Sequence, residues 1–368
     1  MKIVIAPDSF KGSASSIEIA EWIEKGIHSV IPNCETVRIA IGDGGEGTLD
    51  AVITAGFIPY EVQVQGPTNK TVQSKFAMKD ETALIELAQA SGLSLLPGAK
   101  LEPLTATSYG TGQLIRSALD KGATRIILAV GGSACTDAGA GALQALGARL
   151  LKADGEEISL GGAALSECQE IDLSELDARI PQVEFILASD VTNPLLGENG
   201  AARIYSPQKG ASVGDVEVLE SALSHFSHLA GVSHINTPGS GAAGGFGFMA
   251  FTFLNAKPQS GIEMTLDLVH FAEHLAGADL VITGEGKFDS QSLNGKAPIG
   301  ILEIATQKSI PVALICGQAL LNSSDEIINK FHSIGALSDV EPDIEKCIRE
   351  PRPIIEKISV TIAKQLIS

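Results

Sequence analysis

Four times along this chain an apolar run ends in a small residue followed by an acid, and this recurrence narrows the choice of fold more than any other feature. Ile3-Val4-Ile5-Ala6 leads to Pro7-Asp8, Val37-Arg38-Ile39-Ala40-Ile41 to Gly42-Asp43, Phe185-Ile186-Leu187-Ala188 to Ser189-Asp190, and Leu280-Val281-Ile282-Thr283 to Gly284-Glu285. Such runs mark parallel strands covered on both faces by helices, and the expected class is α/β with parallel, doubly wound sheets. Ligands of these sheets bind past the carboxyl ends of the strands. Asp8, Asp43, Asp190 and Glu285 are therefore expected to face ligand.

Helices follow these turns. Ser15-Ser16-Ile17-Glu18 is a capping-box pattern, with Ile17, Ala20, Ile23, Ile27 and Val30 expected on one face. A second helix is predicted from about Thr48 to Gly56, another from about Ala138, and a last one after Pro353 carrying Ile355, Ile358, Ile362 and Leu366. Between Tyr60 and Ala88 the pattern changes to short alternating strands around the turn Gly66-Pro67-Thr68-Asn69. A chain of 368 residues exceeds the usual size of one core. The expected division is a discontinuous α/β domain from 1–62 plus 257–368, with 63–256 inserted as a second domain.

A net charge of −18 without any cluster of Lys and Arg argues against nucleic acid as a partner. The longest apolar runs are far too short for a membrane span, and Met1 to Ala6 reads as a strand rather than a signal peptide. Five cysteines without paired spacing suit a reducing compartment, so a cytoplasmic protein is expected. Oligomeric state is left open, a homo-oligomer being compatible with the sequence.

Three glycine-rich loops carry the chemistry. Gly42 to Gly47 fits Gly-x-Gly-x-x-Gly between a strand and a helix, but Gly239 to Gly244 fits it too, and a pattern met twice does not identify a dinucleotide site. Asp43 and Glu46 inside the first loop would repel a bare pyrophosphate unless Mg²⁺ lay between. Gly131-Gly132-Ser133 offers backbone N–H groups to an anion, and so does Gly239-Ser240-Gly241 through Gly244. Each loop has an alternative reading as a turn that needs glycine. Lys11 and Lys296 sit in Gly/Ser-rich turns suited to phosphate, and Asp190 lies past an apolar strand where a general base would stand. No P-loop or protein-kinase motif is present. His270-Phe271-Ala272-Glu273-His274 matches an inverted zinc-peptidase pattern on a predicted helix, a match short enough to be accidental.

Together these segments resemble the type I glycerate kinase family over nearly the whole chain. The resembling pieces are Ala6 to Gly12, Gly42 to Thr48, Ala106 to Gly112, Gly131 to Ser133, Asp190 to Leu195, Gln208 to Ala211, Pro238 to Gly245, and Gly284 to Pro298. The resemblance implies two α/β domains, one flavodoxin-like and assigned here to 63–256, with the active site in the interdomain cleft. It implies transfer of the ATP γ-phosphate to a hydroxyl of D-glycerate, a small-molecule substrate, with Mg²⁺ and more often at the 2-position. An NAD-linked dehydrogenase of a small hydroxy acid is the alternative.

On this reading Asp190 or Asp43 deprotonates the hydroxyl, with Lys11 also catalytic. Mg²⁺ lies among Asp43, Glu285 and Asp289. Ser9, Lys11, Arg203 and Lys209 bind the substrate. Gly131, Gly132, Ser133, Gly239, Ser240, Gly241, Gly244 and Lys296 bind the nucleotide. Where similar proteins commonly show Gly-Gly-Ser-Ala-Thr-Asn-Asp-Gly-Gly, this chain has Cys135, Thr136 and Ala138, so backbone contacts from Gly131 to Ser133 are the ones expected to persist.

Overall fold

The computed structural model describes residues 1–96, 98, 100–293, 295–321 and 326–367; Asn294, in the predicted phosphate turn, lies outside them. Its strands are β1 (Lys2–Pro7), β2 (Glu35–Arg38), β3 (Ile58–Gln65), β4 (Thr71–Lys79), β5 (Thr82–Glu86), β6 (Arg125–Ala129), β7 (Arg149–Leu151), β8 (Glu170–Asp172), β9 (Glu184–Ala188), β10 (Lys257–Gln259), β11 (Leu280–Phe288), β12 (Val312–Ala319) and β13 (Ser333–Ala336). The chain forms two compact units. One comprises Met1–Asp43, Asp50–Gly56 and Ser260–Ser368, and the other Gly44–Leu49 and Phe57–Gln259.

The first unit holds a five-stranded sheet in the order β13-β12-β11-β1-β2, parallel throughout. Counted within the unit this order is 2-1-3-4-5, the doubly wound order of flavodoxin-like sheets. The sequence reading places the flavodoxin-like sheet in 63–256; this strand order occurs instead in the unit built from the chain ends. Ile3, Ile5, Leu280, Ile282, Ala313 and Ile315 are buried on one face, and Val4, Val281, Leu314 and Cys316 on the other, so apolar residues fill both sides as continuous runs require.

The helix Ser16–His28 starts at the capping box: Ser15 Oγ accepts from the Glu18 N–H, and Glu18 accepts from the Ser15 N–H at 2.9 Å. It buries Ile19, Ala20, Ile23 and Ile27. Ile17, expected on that face, is exposed, because it lies roughly a third of a turn from the centre of the buried stripe. The last helix, Pro351–Ile367, starts two residues earlier than the reading from Pro353 and buries Ile354, Ile355, Ile358, Ile362 and Ala363. The two helices approach so closely at Gly26 that a Cβ there would stand 2.6 Å from Ser359 Cβ.

The second unit has a six-stranded sheet in the order β10-β9-β6-β5-β4-β3. Its first four strands are parallel, and the alternating segment forms the antiparallel strands β3 and β4, with β4 antiparallel to β5. Phe76, Ile85, Leu114, Leu128, Phe185 and Phe246 centre its core. The helix expected from Ala138 begins at Ala140, since Ala138 and Gly139 take left-handed conformations with φ of 52° and 71°. No helix among the described residues is long and apolar enough to cross a membrane.

Candidate active site at the switch point of the first sheet

In the order 2-1-3-4-5 the chain reverses direction across the sheet between β1 and β11, and the crevice at their carboxyl ends is where such sheets bind ligands. A pocket of about 280 Å³ lies there. Asp8, Asp43 and Glu285 line it, as do Lys11, Lys287 and Lys296. Three of the four strand-end acids of the sequence thus converge in one unit; the fourth, Asp190, belongs to the other.

Local structure explains the convergence. Asp8 follows β1 directly, and its N–H donates to the Gly284 carbonyl at 2.8 Å, bringing it beside Glu285. Residues 10–14 form a tight loop in which Phe10 and Ala14 exchange backbone hydrogen bonds and Gly12 has φ +76°, putting Lys11 at the tip. Ser16 then ties two strand ends together. Its hydroxyl donates to the Pro7 carbonyl at 2.7 Å and accepts from the Ile41 N–H at 3.0 Å, holding the segment that leads to Asp43 against the end of β1. Gly317 forms part of the floor, where its Cα packs against the Gly286 carbonyl.

The electrostatics follow from burying like charges together. Asp8 is pushed up to about 8 by burial and by Asp43 and Glu285, against the Ser9 N–H at 2.7 Å from Oδ1 and the charge of Lys11. Burial raises Glu285 to about 7, opposed by the Ser292 hydroxyl and by Lys296, whose Nζ is 3.9 Å away. Lys11 Nζ is 3.6 Å from Asp43 Oδ2, and that carboxylate pushes the ammonium above its ordinary value. Acids buried this close together favour an added cation even beside these lysines.

The donor chemistry fits Mg²⁺. Glu285 Oε1 is buried with no hydrogen-bond partner, and carboxylate oxygens are the hard ligands that this ion takes. Among the described residues no three His, Cys, Asp or Glu side chains form a ready cage. Mg²⁺ bound with a nucleotide needs none, since one or two carboxylates plus phosphate oxygens suffice. Asp289 does not line the pocket; its carboxylate pairs with Lys287 at 3.0 Å and accepts the Gln291 N–H. Ser9 lines it beside Asp8, and Lys296 immediately precedes the helix Ala297–Gln307, whose first N–H groups no side chain caps.

The remaining expected residues lie in the second unit. Gly131 abuts Gly45: a Cβ added to Gly131 would stand only 2.6 Å from the Gly45 Cα, so two of the glycine loops meet there. Ser133 accepts from Lys209 Nζ at 2.8 Å, and that buried ammonium also donates to the Cys135 carbonyl at 2.6 Å. Lys209 therefore braces the loop from within, and burial lowers it to about 8. Arg203 makes a two-pronged pair with Glu217 at 2.7 and 3.1 Å. Ser240 is buried with its hydroxyl on the His234 carbonyl at 2.5 Å. Gly241 and Gly244 pack against the carbonyls of Pro194 and Cys135, and Gly239 faces the Val191 carbonyl, so these glycines permit close backbone contact inside the unit.

The loop from Gly131 to Asp137 leads toward the helix that begins at Ala140. The Asp137 carboxylate already accepts from the N–H groups of Ser108, Gly139 and Gly141, supplying the negative charge itself. Nor does the zinc-peptidase spacing lie on one helix: His270 has φ +52° between the helices Gly261–Leu268 and Phe271–His274.

Residues 3–367 match the family described as the glycerate kinase family. The chain belongs to the glycerate kinase family. It is 44% identical over 353 residues to a glycerate 2-kinase of Escherichia coli strain K12, covering 92% of this chain and 93% of that one. It is 46% identical over 350 residues to a glycerate kinase of Bacillus subtilis strain 168, covering 93% and 91%. A crystal structure from Salmonella typhimurium LT2, provisionally assigned as glycerate kinase 2, superposes with a TM-score of 0.85 at 39% identity, covering 100% of this chain and 98% of that one. A glycerate kinase transfers a phosphoryl group, and the dehydrogenase alternative gives way to that activity. The residue that the sequence reading left without a role is Asp8. Its position after the first apolar run was the signal, and its burial beside Glu285 is visible only once β1 and β11 pair.

Proposed function

We propose that this enzyme transfers the γ-phosphoryl group of ATP to the 2-hydroxyl of D-glycerate, giving 2-phosphoglycerate. The observation that carries the reading is the pocket at the switch point, where three carboxylates and three lysines converge in a chain of the glycerate kinase family. Phosphoryl transfer needs little covalent help from a protein; it needs cations around the phosphate oxygens, acids to hold a metal, and a base at the acceptor hydroxyl.

When bound with the nucleotide, Mg²⁺ supplies positive charge to the phosphate oxygens, and Asp43 and Glu285 are the residues that would hold it. Lys296, ahead of an uncapped helix start, orients the nucleotide phosphates. Lys11, exposed at its loop tip, offers its charge to the phosphoryl group in transfer. Asp190 is assigned the proton of the glycerate hydroxyl. The 2-position follows the name of the Escherichia coli relative.

The test is incubation of the purified protein with ATP, Mg²⁺ and D-glycerate, followed by phosphorus NMR. A 2-phosphoglycerate resonance that requires all three components is expected. A 3-phosphoglycerate signal would overturn the regiochemistry, and absence of product would overturn the reaction.

A further inference from the structure

The pocket at the switch point has two unlike walls. One is the ring of strand-end acids and lysines; the other is apolar and made of Leu337, Ile344, Cys347 and Ile348, from beyond β13 and the helix Ile344–Arg349. D-Glycerate carries an oxygen on each of its three carbons and presents no apolar face, so that wall matches nothing in the acceptor. A nucleotide has a charged end and a flat apolar end, which is the character of this pocket.

We propose that the apolar wall seats the purine base of the nucleotide, whose phosphates run toward Lys296 and Lys11. The assignment rests on the kinase reading and goes further by placing the nucleotide, base included, in the first unit. A second contact supports it: the Ser13 hydroxyl donates to the Ile348 carbonyl at 2.5 Å. The loop that carries Lys11 is thereby pinned to the helix that carries the base seat, fixing the distance between the two ends of the ligand. Asp343 caps that helix by accepting from the Glu345 and Lys346 N–H groups at 3.0 and 3.3 Å, so the wall is held at both ends.

Ile348 is half exposed, so a charged replacement there should leave the fold intact while placing a carboxylate against the base. For Ile348→Glu the KM for ATP is expected to rise about tenfold or more, with the KM for D-glycerate within about twofold of wild type. ADP binding by calorimetry should weaken in parallel, whereas inorganic tripolyphosphate, which lacks a base, should inhibit both proteins equally. An unchanged KM for ATP, or equal rises for both substrates, would overturn the proposal. Ile348→Ala serves if the Glu variant loses its circular-dichroism signal; it should shift ADP affinity in the same direction. Should the wild type bind ADP yet fail to phosphorylate glycerate, the reaction assignment falls while the ADP comparison still decides the base seat.

Discussion

Lys209 Nζ donates to the Ser133 hydroxyl at 2.8 Å across 76 residues of chain, and both groups are buried. Its ammonium has given up water for two oxygens, and its folded value of about 8 lies below the ordinary 10.5. A lowered lysine value costs stability in full below pH 8. That cost is relieved as pH rises toward 10.5, where the unfolded chain still binds the proton and the folded one does not. Lys209→Ala leaves a cavity and an unsatisfied carbonyl, and is expected to cost on the order of 2–4 kcal/mol at neutral pH. Urea melts of both proteins between about pH 7.5 and 9.5 should show the gap widening; a constant gap would mean that Lys209 does not titrate in this range.

Gly317 admits no side chain, because a Cβ would meet the backbone carbonyl of Gly286. Gly317→Ala is therefore expected to lose about 1–3 kcal/mol through overpacking. It should also distort the pocket floor, so that nucleotide affinity falls with the melting temperature. Wild-type thermal stability in this variant would count against the close contact.

Ala138 has φ +52°, in the left-handed region that favours glycine. A left-handed alanine is strained by roughly 1–2 kcal/mol, part of which glycine returns as unfolded-state entropy. Ala138→Gly should raise stability by about 0.5–1 kcal/mol without changing activity, as read by differential scanning calorimetry.

Lys11 is well exposed, so its ion pair with Asp43 contributes little to folding. If its charge serves the transferring phosphoryl group, Lys11→Ala should lower kcat by roughly 10²–10³ while the melting temperature hardly moves. Equal losses in stability and rate would point to a structural role instead.

Asp190→Asn retains the size of the side chain and removes the carboxylate proposed as the base. Turnover should drop by about 10²–10⁴ with the fold intact. Wild-type turnover would show that another group takes the hydroxyl proton.

The sequence disclosed what is local. The capping box at Ser15, the stop before Gly56 and the alternation around Gly66 each depend on a few neighbouring residues, and each is present in the structure. Strand-end acids were readable for the same reason. What eluded it depends on pairings between distant segments. Asp8 is legible as a strand-end acid, but its burial beside Glu285 arises only when β1 lies beside β11, 277 residues away. Lys209 reads as a loop cation until burial turns it inward, and Ala138 reads as helical because nothing adjacent reveals its left-handed turn. The glycines at 241 and 244 look like a ligand cradle in one dimension, and their close contacts with carbonyls of their own unit are visible only in three.

The placement of β1 between β2 and β11 bears on how the protein is made. As the chain leaves the ribosome, β1 and the helix Ser16–His28 emerge before the second unit, but the sheet neighbour β11 and the helix that packs on Gly26 come only after that unit has been synthesised. The contiguous stretch Phe57–Gln259 can complete most of its own contacts meanwhile. Ile3, Ile5, Ile19 and Ile23 must wait for Leu280, Ile282, Ile355 and Ile358, the later members of their cluster. Closure of the first sheet is thus a long-range event that the order of synthesis postpones, and long-range pairings of this kind are intrinsically slow to form.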